Sequence, residues 1–261
     1  MREAAGNVFR VARLTAAGMF RAVWVFVGAA ILSFLIGLFP AYHSQGYKLY
    51  ELLGITALFS FLLYVILFAY YVASEVRTEI DSKKVQPMLG LPITRDEYLV
   101  GKWLGVVVPA IVLLTVCALG LCTMAWADTA PAGREDFFQG FLVLYLGGMP
   151  LVIAFLSGVF FVALFMHPIL NILVHAAAYV VLVPVCIGLS PTNDWYFTKW
   201  IALLFPHAPW WSTDAPPFSG DLTSIPWHFL ERVAIHDFAW VFAALFLSLV
   251  VFRNMNVAKP Q

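Results

Sequence analysis

The densest group of residues that could do chemistry lies in one stretch of the chain, from Glu75 to Lys102. It holds five acidic and five basic side chains, a third of all the charged residues in the protein. A run of mixed charge is typical of a solvated helix that meets another protein's surface. We expect an amphipathic helix from about Glu75 to Gln86 that ends near Pro87. An ordinary charged connector is the alternative.

A second helix is predicted directly after this run. Thr94 and Glu97 have the T-x-x-E spacing of a capping box, in which each side chain bonds the backbone of the other residue. The helix then continues through Lys102 into an apolar stretch. Gly101 and Gly105 lie four residues apart, a spacing that lets another helix approach closely.

The histidines and cysteines give weaker signals. None of the six histidines pairs with another at three or four residues, so no helical pair of metal ligands is predicted. His167 and His175 could share a helix face, although packing is the more common role. His236-Asp237 is either a pH-sensitive pair or the boundary of an apolar stretch. The three cysteines lie in apolar stretches and are expected to pack.

Nucleotide-binding and hydrolase motifs are missing from the sequence. Gly101-Lys102 is followed by Trp103, and Asp96 stands where the first glycine of a phosphate-binding loop belongs. The sequence has no G-x-G-x-x-G, H-E-x-x-H or G-x-S-x-G. We therefore expect that the chain is not an enzyme by itself.

The composition identifies the elements that must position the charged stretch. Of 261 residues, 62% are apolar and 11% are charged, whereas a soluble domain is about half apolar and a quarter charged. This excludes a soluble enzyme, a nucleic-acid binder and a disordered protein. Six stretches have roughly the 20 apolar residues of a membrane span: 22–42, 52–74, 103–127, 138–166, 169–189 and 238–252. The predicted fold is an all-α integral membrane domain with six transmembrane helices.

The fourth and fifth stretches are separated only by His167-Pro168. Proline interrupts a helix and disfavours helix at the residue before it, which predicts a tight turn here. The alternative is one kinked helix about twice as long as a bilayer crossing.

The charges predict the orientation. Eleven of the fifteen lysines and arginines fall on the side that holds both termini, so both termini are expected in the cytoplasm. No charged residue lies inside the six stretches. Transporters and pumps usually carry ionisable groups in the membrane, so uphill transport by this chain would need a separate ATPase.

Two further segments have their own predictions. Residues 1–20 form a basic amphipathic pattern that suits the inner-leaflet headgroups, with a plain lead-in to the first span as the alternative. Residues 190–237 contain six prolines and five tryptophans. They are expected to form short helices on or in the outer leaflet. A folded outer loop with a small tryptophan core is the alternative.

The charged stretch resembles the coupling loop of type-2 ABC exporter permeases, and the predicted architecture is similar over nearly the whole chain. Glu79 and Asp81 match two acidic positions, and Met88-Leu89 stands in the place of Leu-Leu. The further matches are Pro92-Ile93-Thr94-Arg95 and Gly101-Lys102. The sequence departs from the pattern at Lys83-Lys84, where Gly-Thr is usual, and at Gln86, where Glu is usual.

The resemblance implies a permease subunit in the bacterial inner membrane that pairs with a second permease chain, as a homodimer or heterodimer. A cytosolic P-loop ATPase would carry ATP and Mg, so no cofactor is expected in this chain. The residues expected to dock the ATPase are Glu75, Arg77, Glu79, Asp81, Lys83, Lys84 and Gln86. Those expected to join loop and span are Pro92, Thr94, Arg95, Gly101 and Lys102.

Two other functions are compatible with the sequence. The chain could be a membrane enzyme acting on a lipid or quinone, with its polar groups at His207, His228, His236 and Asp237. It could also be an assembly subunit of a larger membrane complex that transports nothing.

Overall fold

The computed structural model describes residues 2–21, 66–67, 69–82, 93–128, 134–178 and 227–255. Within these ranges the regular structure is entirely helical, without strands, as the sequence predicts. The six helices are α1 (Arg2–Arg21), α2 (69–81), α3 (Arg95–Asp128), α4 (Arg134–Ala163), α5 (Pro168–Ala177) and α6 (Trp227–Asn254).

Three of these helices enclose most or all of a predicted apolar stretch. Helices α3, α4 and α6 contain 34, 30 and 28 residues, which is about 40 Å or more of length each at about 1.5 Å per residue. Within α6, Ala234–Asn254 is long and apolar enough to cross a membrane. The stretch 22–42 lies outside the described residues, as does most of 190–237, and 52–74 and 169–189 are described in part. The six-span arrangement therefore stays a prediction.

The predicted break between the fourth and fifth stretches is confirmed. Helix α4 ends at Ala163, and its last turn tightens as the Leu164 amide donates to the Phe161 carbonyl at 3.2 Å. His167 is extended, with φ −62° and ψ 142°, and Pro168 occupies the start of α5. Proline fits this first helical position because its missing N–H would have no intrahelical partner there. A single over-long helix is excluded.

The core lies where α1, α2, α3, α4 and α6 meet. Helix α1 packs mainly against α3, and α6 packs mainly against α4. The core side chains include Val11, Met19, Val72, Val76, Leu99, Val106, Leu156, Phe160 and Phe252. The start of α3 lies at this junction, and the charged stretch is built around it.

Candidate functional site

Lys102 joins α2 to α3 inside the protein. Its Nζ lies 2.6 Å from Glu79 Oε1 and 3.1 Å from Glu75 Oε1, and its side chain is only 5% exposed. Glu75 and Glu79 lie four residues apart on α2, so both carboxylates project from one helix face. One buried cation therefore holds two acidic residues of the charged loop.

Tyr98 completes this group, one turn before Lys102 on α3. Its hydroxyl donates to Glu79 Oε2 at 2.5 Å. Burial, together with the nearby carboxylates, raises the pKa of the Tyr98 hydroxyl, so the group stays protonated and remains a donor. The Tyr98 ring stacks on Phe252 of α6, with 5.8 Å between ring centroids. We call Glu75, Glu79, Tyr98 and Lys102 the Lys102 cluster; it links α2 and α3 and contacts α6.

The start of α3 also holds the end of α6. Arg95 Nη1 donates to the Arg253 carbonyl at 2.9 Å and to the Met255 carbonyl at 3.1 Å. Carbonyls at a helix C-terminus lack intrahelical donors, so Arg95 supplies the missing hydrogen bonds. In return, Arg253 binds Asp96 through two hydrogen bonds, one of them from Nε to Oδ1 at 2.8 Å. We call Arg95, Asp96 and Arg253 the helix-end clasp.

The clasp predicts a small dependence of stability on pH. The hydrogen bonds from Arg253 hold the pKa of Asp96 below its ordinary value of 3.8. Because the folded pKa is lowered, the stabilisation is present above about pH 4 and is lost as pH falls through the folded value. Both side chains are more than a third exposed, so the contribution is expected to be below about 1 kcal/mol.

The measurement compares thermal unfolding of wild type and Asp96→Asn in detergent from pH 6 to pH 3. Wild type should be the more stable protein at pH 6, and the difference should shrink on acidification. A difference that is the same at both ends of the range would contradict the proposed role of the carboxylate.

The capping box is confirmed and connects to α1. The Glu97 amide donates to Thr94 Oγ1 at 3.2 Å, and the Thr94 amide donates to Glu97 Oε2 at 2.9 Å. Asn7 of α1 also donates to Glu97 Oε2, at 3.2 Å. The first turn of α3 is thus fixed by its own side chains and by α1.

The close approach predicted at Gly101 and Gly105 is also confirmed, and the approaching helix is α1. A Cβ on Gly101 would lie 2.7 Å from the Val8 carbonyl oxygen, and one on Gly105 would lie 2.6 Å from the Ala12 carbonyl oxygen. Both separations are far below van der Waals contact. Helix α1 therefore runs directly against the segment of α3 that carries Lys102.

Alanine substitutions at these glycines should loosen α1. For Gly101→Ala or Gly105→Ala we expect a loss of about 1–3 kcal/mol in the free energy of unfolding, because the backbone of α1 has to move away. Gly6→Ala is the matched control, since nothing lies within 4 Å of its Cβ position. That change should be neutral or stabilising by up to about 1 kcal/mol. Equal effects at Gly6 and Gly101, measured by denaturant unfolding in detergent, would argue against the close contact.

The predicted docking residues fall into separate groups. Glu75 and Glu79 face inward in the Lys102 cluster. Arg77 pairs with Asp81 at 2.9 Å, and Asp81 remains 55% exposed. Arg77 also donates to the carbonyl of Leu164, at 3.4 Å. Three docking residues and one junction residue lie outside the described residues: Lys83, Lys84, Gln86 and Pro92.

One assignment in the predicted pattern of α1 is wrong. Leu14 is expected on the apolar side with Val11 and Met19, but it lies one turn after Arg10 and therefore on the same helix face as that arginine. In the structure Val11 and Met19 are buried, but Leu14 is 62% exposed. It lies on the flank of the helix that α3 leaves uncovered.

A buried polar group inside α5 was missed by sequence reasoning. Asn171 is fully buried; its Nδ2 donates to the Val159 carbonyl at 2.9 Å. Its Oδ1 has no hydrogen-bond partner in the part of the chain that the structure describes. His175, four residues later, is 2.9 Å from the Asn171 carbonyl oxygen through Nδ1. His167 is exposed at the turn before α5, so the two histidines do not share an environment.

His236 and Asp237 lie in the first turn of the apolar segment Ala234–Asn254 of α6, close to its edge. His236 Nδ1 is 3.4 Å from Asp237 Oδ1, and Asp237 is fully buried. The segment Ala234–Asn254 contains both. In the described ranges, no three histidine, cysteine, aspartate or glutamate side chains are arranged to hold a metal ion.

Comparison with known proteins adds no assignment. No protein-family model and no curated protein matches this sequence. The geometry around Lys102 and the residue pattern of the charged stretch are therefore the features from which a function can be inferred.

Proposed function

We propose that this chain is the permease subunit of an ATP-binding-cassette transporter, and that the transporter is an exporter. It would couple ATP hydrolysis by a separate cytosolic ATPase to substrate movement or mechanical work across the membrane. The observation that carries the proposal is the Lys102 cluster. It fixes α2, which begins the stretch that resembles an ABC-permease coupling loop, to a long helix that continues into an apolar stretch.

A membrane location is supported by the outward-facing side chains of the helices. Phe242 and Phe246 on α6 and Val116 on α3 are exposed, although they are large and apolar. A soluble protein rarely leaves such residues in contiguous exposed patches. Together with the segment Ala234–Asn254, they favour a bilayer around these helices. The proposed arrangement is the one predicted from the sequence, six spans with both termini in the cytoplasm.

The Lys102 cluster is suited to transmit a displacement of α2 to α3. Separating Lys102 from its carboxylates would leave charges buried without partners, which costs several kcal/mol. Helix α2 is therefore expected to move together with α3. The helix-end clasp adds the C-terminus of α6 to the same unit. A displacement of α2 by a partner would then shift α3 and α6 as rigid bodies, as in other helix-transmitted transitions.

The surface left for the ATPase is the face of α2 that points away from the Lys102 cluster. Arg77 and Asp81 lie there, and 83–86 follow directly in sequence. Two permease chains and two ATPase subunits would form the working assembly, with ATP and Mg bound by the ATPases. The test is affinity purification of the tagged chain from its native membranes, followed by identification of bound proteins and assay of ATP hydrolysis. Recovery without a P-loop ATPase and without ATP hydrolysis would refute the proposal.

A further inference from the structure

The side of α1 that faces away from α3 carries a patch of arginines and apolar side chains. Arg10 and Arg13 are exposed, and the adjacent Phe9 and Leu14 are 69% and 62% exposed. Residues three and four apart are neighbours on a helix surface, so these four side chains form one continuous patch. We call them the α1 patch.

No ion pair between residues that the structure describes neutralises the positive charge of the α1 patch. The ion pairs formed between described residues involve Arg77, Lys102, His236 and Arg253, and neither arginine of the patch takes part. Glu3 is the one acidic residue of α1. It lies two turns before Arg10, about 10 Å along the helix axis. The patch therefore offers two cations to an external anion.

The position of the patch indicates which anion it meets. Val8 and Val11 lie against Gly101, and Ala12 and Thr15 lie against Gly105. The patch is thus level with the segment 101–105 of α3. Lys102 in this segment is the last charged residue before the apolar stretch 103–127. In the proposed topology this is the headgroup level of the cytoplasmic leaflet.

We propose that the α1 patch binds the headgroup of an anionic phospholipid in that leaflet. Basic side chains near an anionic bilayer surface are attracted to it, and exposed apolar side chains beside them enter the boundary with the acyl chains. The proposal rests on the membrane location given under the proposed function. Because α1 contacts α3 at Gly101 and Gly105, a lipid bound to the far side of α1 would regulate coupling through this helix.

The experiment measures lipid binding without any ATPase. The purified chain in detergent is titrated with phosphatidylglycerol or phosphatidylcholine, and bound lipid is counted by native mass spectrometry. The test variant is Arg10→Gln/Arg13→Gln. The matched control, Lys83→Gln/Lys84→Gln, removes the same charge from the same predicted side of the membrane.

Wild type and the lysine control should prefer phosphatidylglycerol, and the arginine variant should bind it roughly 30-fold more weakly, since each cation near the surface contributes about a factor of five. Arg10→Lys/Arg13→Lys keeps the charges and should keep the preference. An equal preference in all variants, or its loss in the conservative lysine variant, overturns the proposal. Affinity purification of the same variants from native membranes tests the other occupant: an arginine variant that keeps its lipid preference but loses the ATPase overturns the proposal, because the patch would then bind the ATPase. A negative lipid result leaves the proposed ATPase coupling standing.

Discussion

Replacing Lys102 by methionine is expected to lower the free energy of unfolding by about 3–5 kcal/mol. Methionine keeps most of the length of the lysine side chain, but the substitution leaves Glu75 and Glu79 next to each other without a counter-ion. Loss of one partner from a buried ion pair is costly because the remaining charge is poorly solvated. Lys102 is almost fully buried and its carboxylate partners are partly exposed, so values in the lower half of that range are expected.

Arg77→Met is the matched control for this measurement. It removes a cation from the same charged stretch, but the Arg77–Asp81 pair is much more exposed than Lys102. Exposed ion pairs one helical turn apart contribute less than about 1 kcal/mol. Denaturant titration in detergent micelles should separate the two variants clearly. Similar losses for both would mean that the Lys102 cluster does not hold α2 against α3.

A combined variant separates charge from packing. Adding Glu75→Gln and Glu79→Gln to Lys102→Met removes the unpaired charges and leaves side chains of similar volume. Neutral replacement of a complete buried ion group is often close to isoenergetic, so much of the lost stability should return. A triple variant as unstable as Lys102→Met alone would assign the effect to packing of the lysine stem.

Local features of the charged stretch could be predicted because they depend on residues close together in sequence. The capping box at Thr94 and Glu97 follows from a fixed spacing, and the turn before Pro168 follows from the geometry of proline. Gly101 and Gly105 indicated a close approach because two residues without side chains, four positions apart, lie on one helix face. Each of these predictions needs only the backbone of one helix end or one helix face.

The contacts between distant segments could not be predicted. The four-residue spacing of Glu75 and Glu79 places them on one face of α2, but it does not say whether that face meets solvent or Lys102. Arg95 donates a hydrogen bond to the carbonyl of Arg253, 158 residues away in sequence, and no sequence pattern indicates that contact. The identity of α1 as the helix on Gly101 likewise depends on tertiary packing. Because Glu75 and Glu79 are engaged by Lys102, other positions of α2 are needed to test docking.

Reversing the charge of Asp81 is expected to reduce recovery of the ATPase partner at least about tenfold. Asp81 is the exposed acidic residue of α2, whereas reversal at Glu79 would break the Lys102 cluster and give an uninterpretable loss. Placing a like charge against a complementary surface costs several kcal/mol, and each 1.4 kcal/mol weakens binding about tenfold. The Arg77–Asp81 pair is exposed, so Asp81→Lys should leave the fold intact.

The matched control is Glu231→Lys, an equal charge reversal at an exposed position in α6. In the proposed topology Glu231 lies on the outer side, where a cytosolic ATPase cannot reach it. Both tagged variants are purified from native membranes and checked for monodispersity, and the bound ATPase is quantified against wild type. A second variant, Lys83→Glu/Lys84→Glu, probes the adjoining segment independently. If both loop variants keep the ATPase at the level of Glu231→Lys, the face of α2 that points away from the Lys102 cluster is not the docking surface. A contact that depends on these charges could not tolerate both reversals.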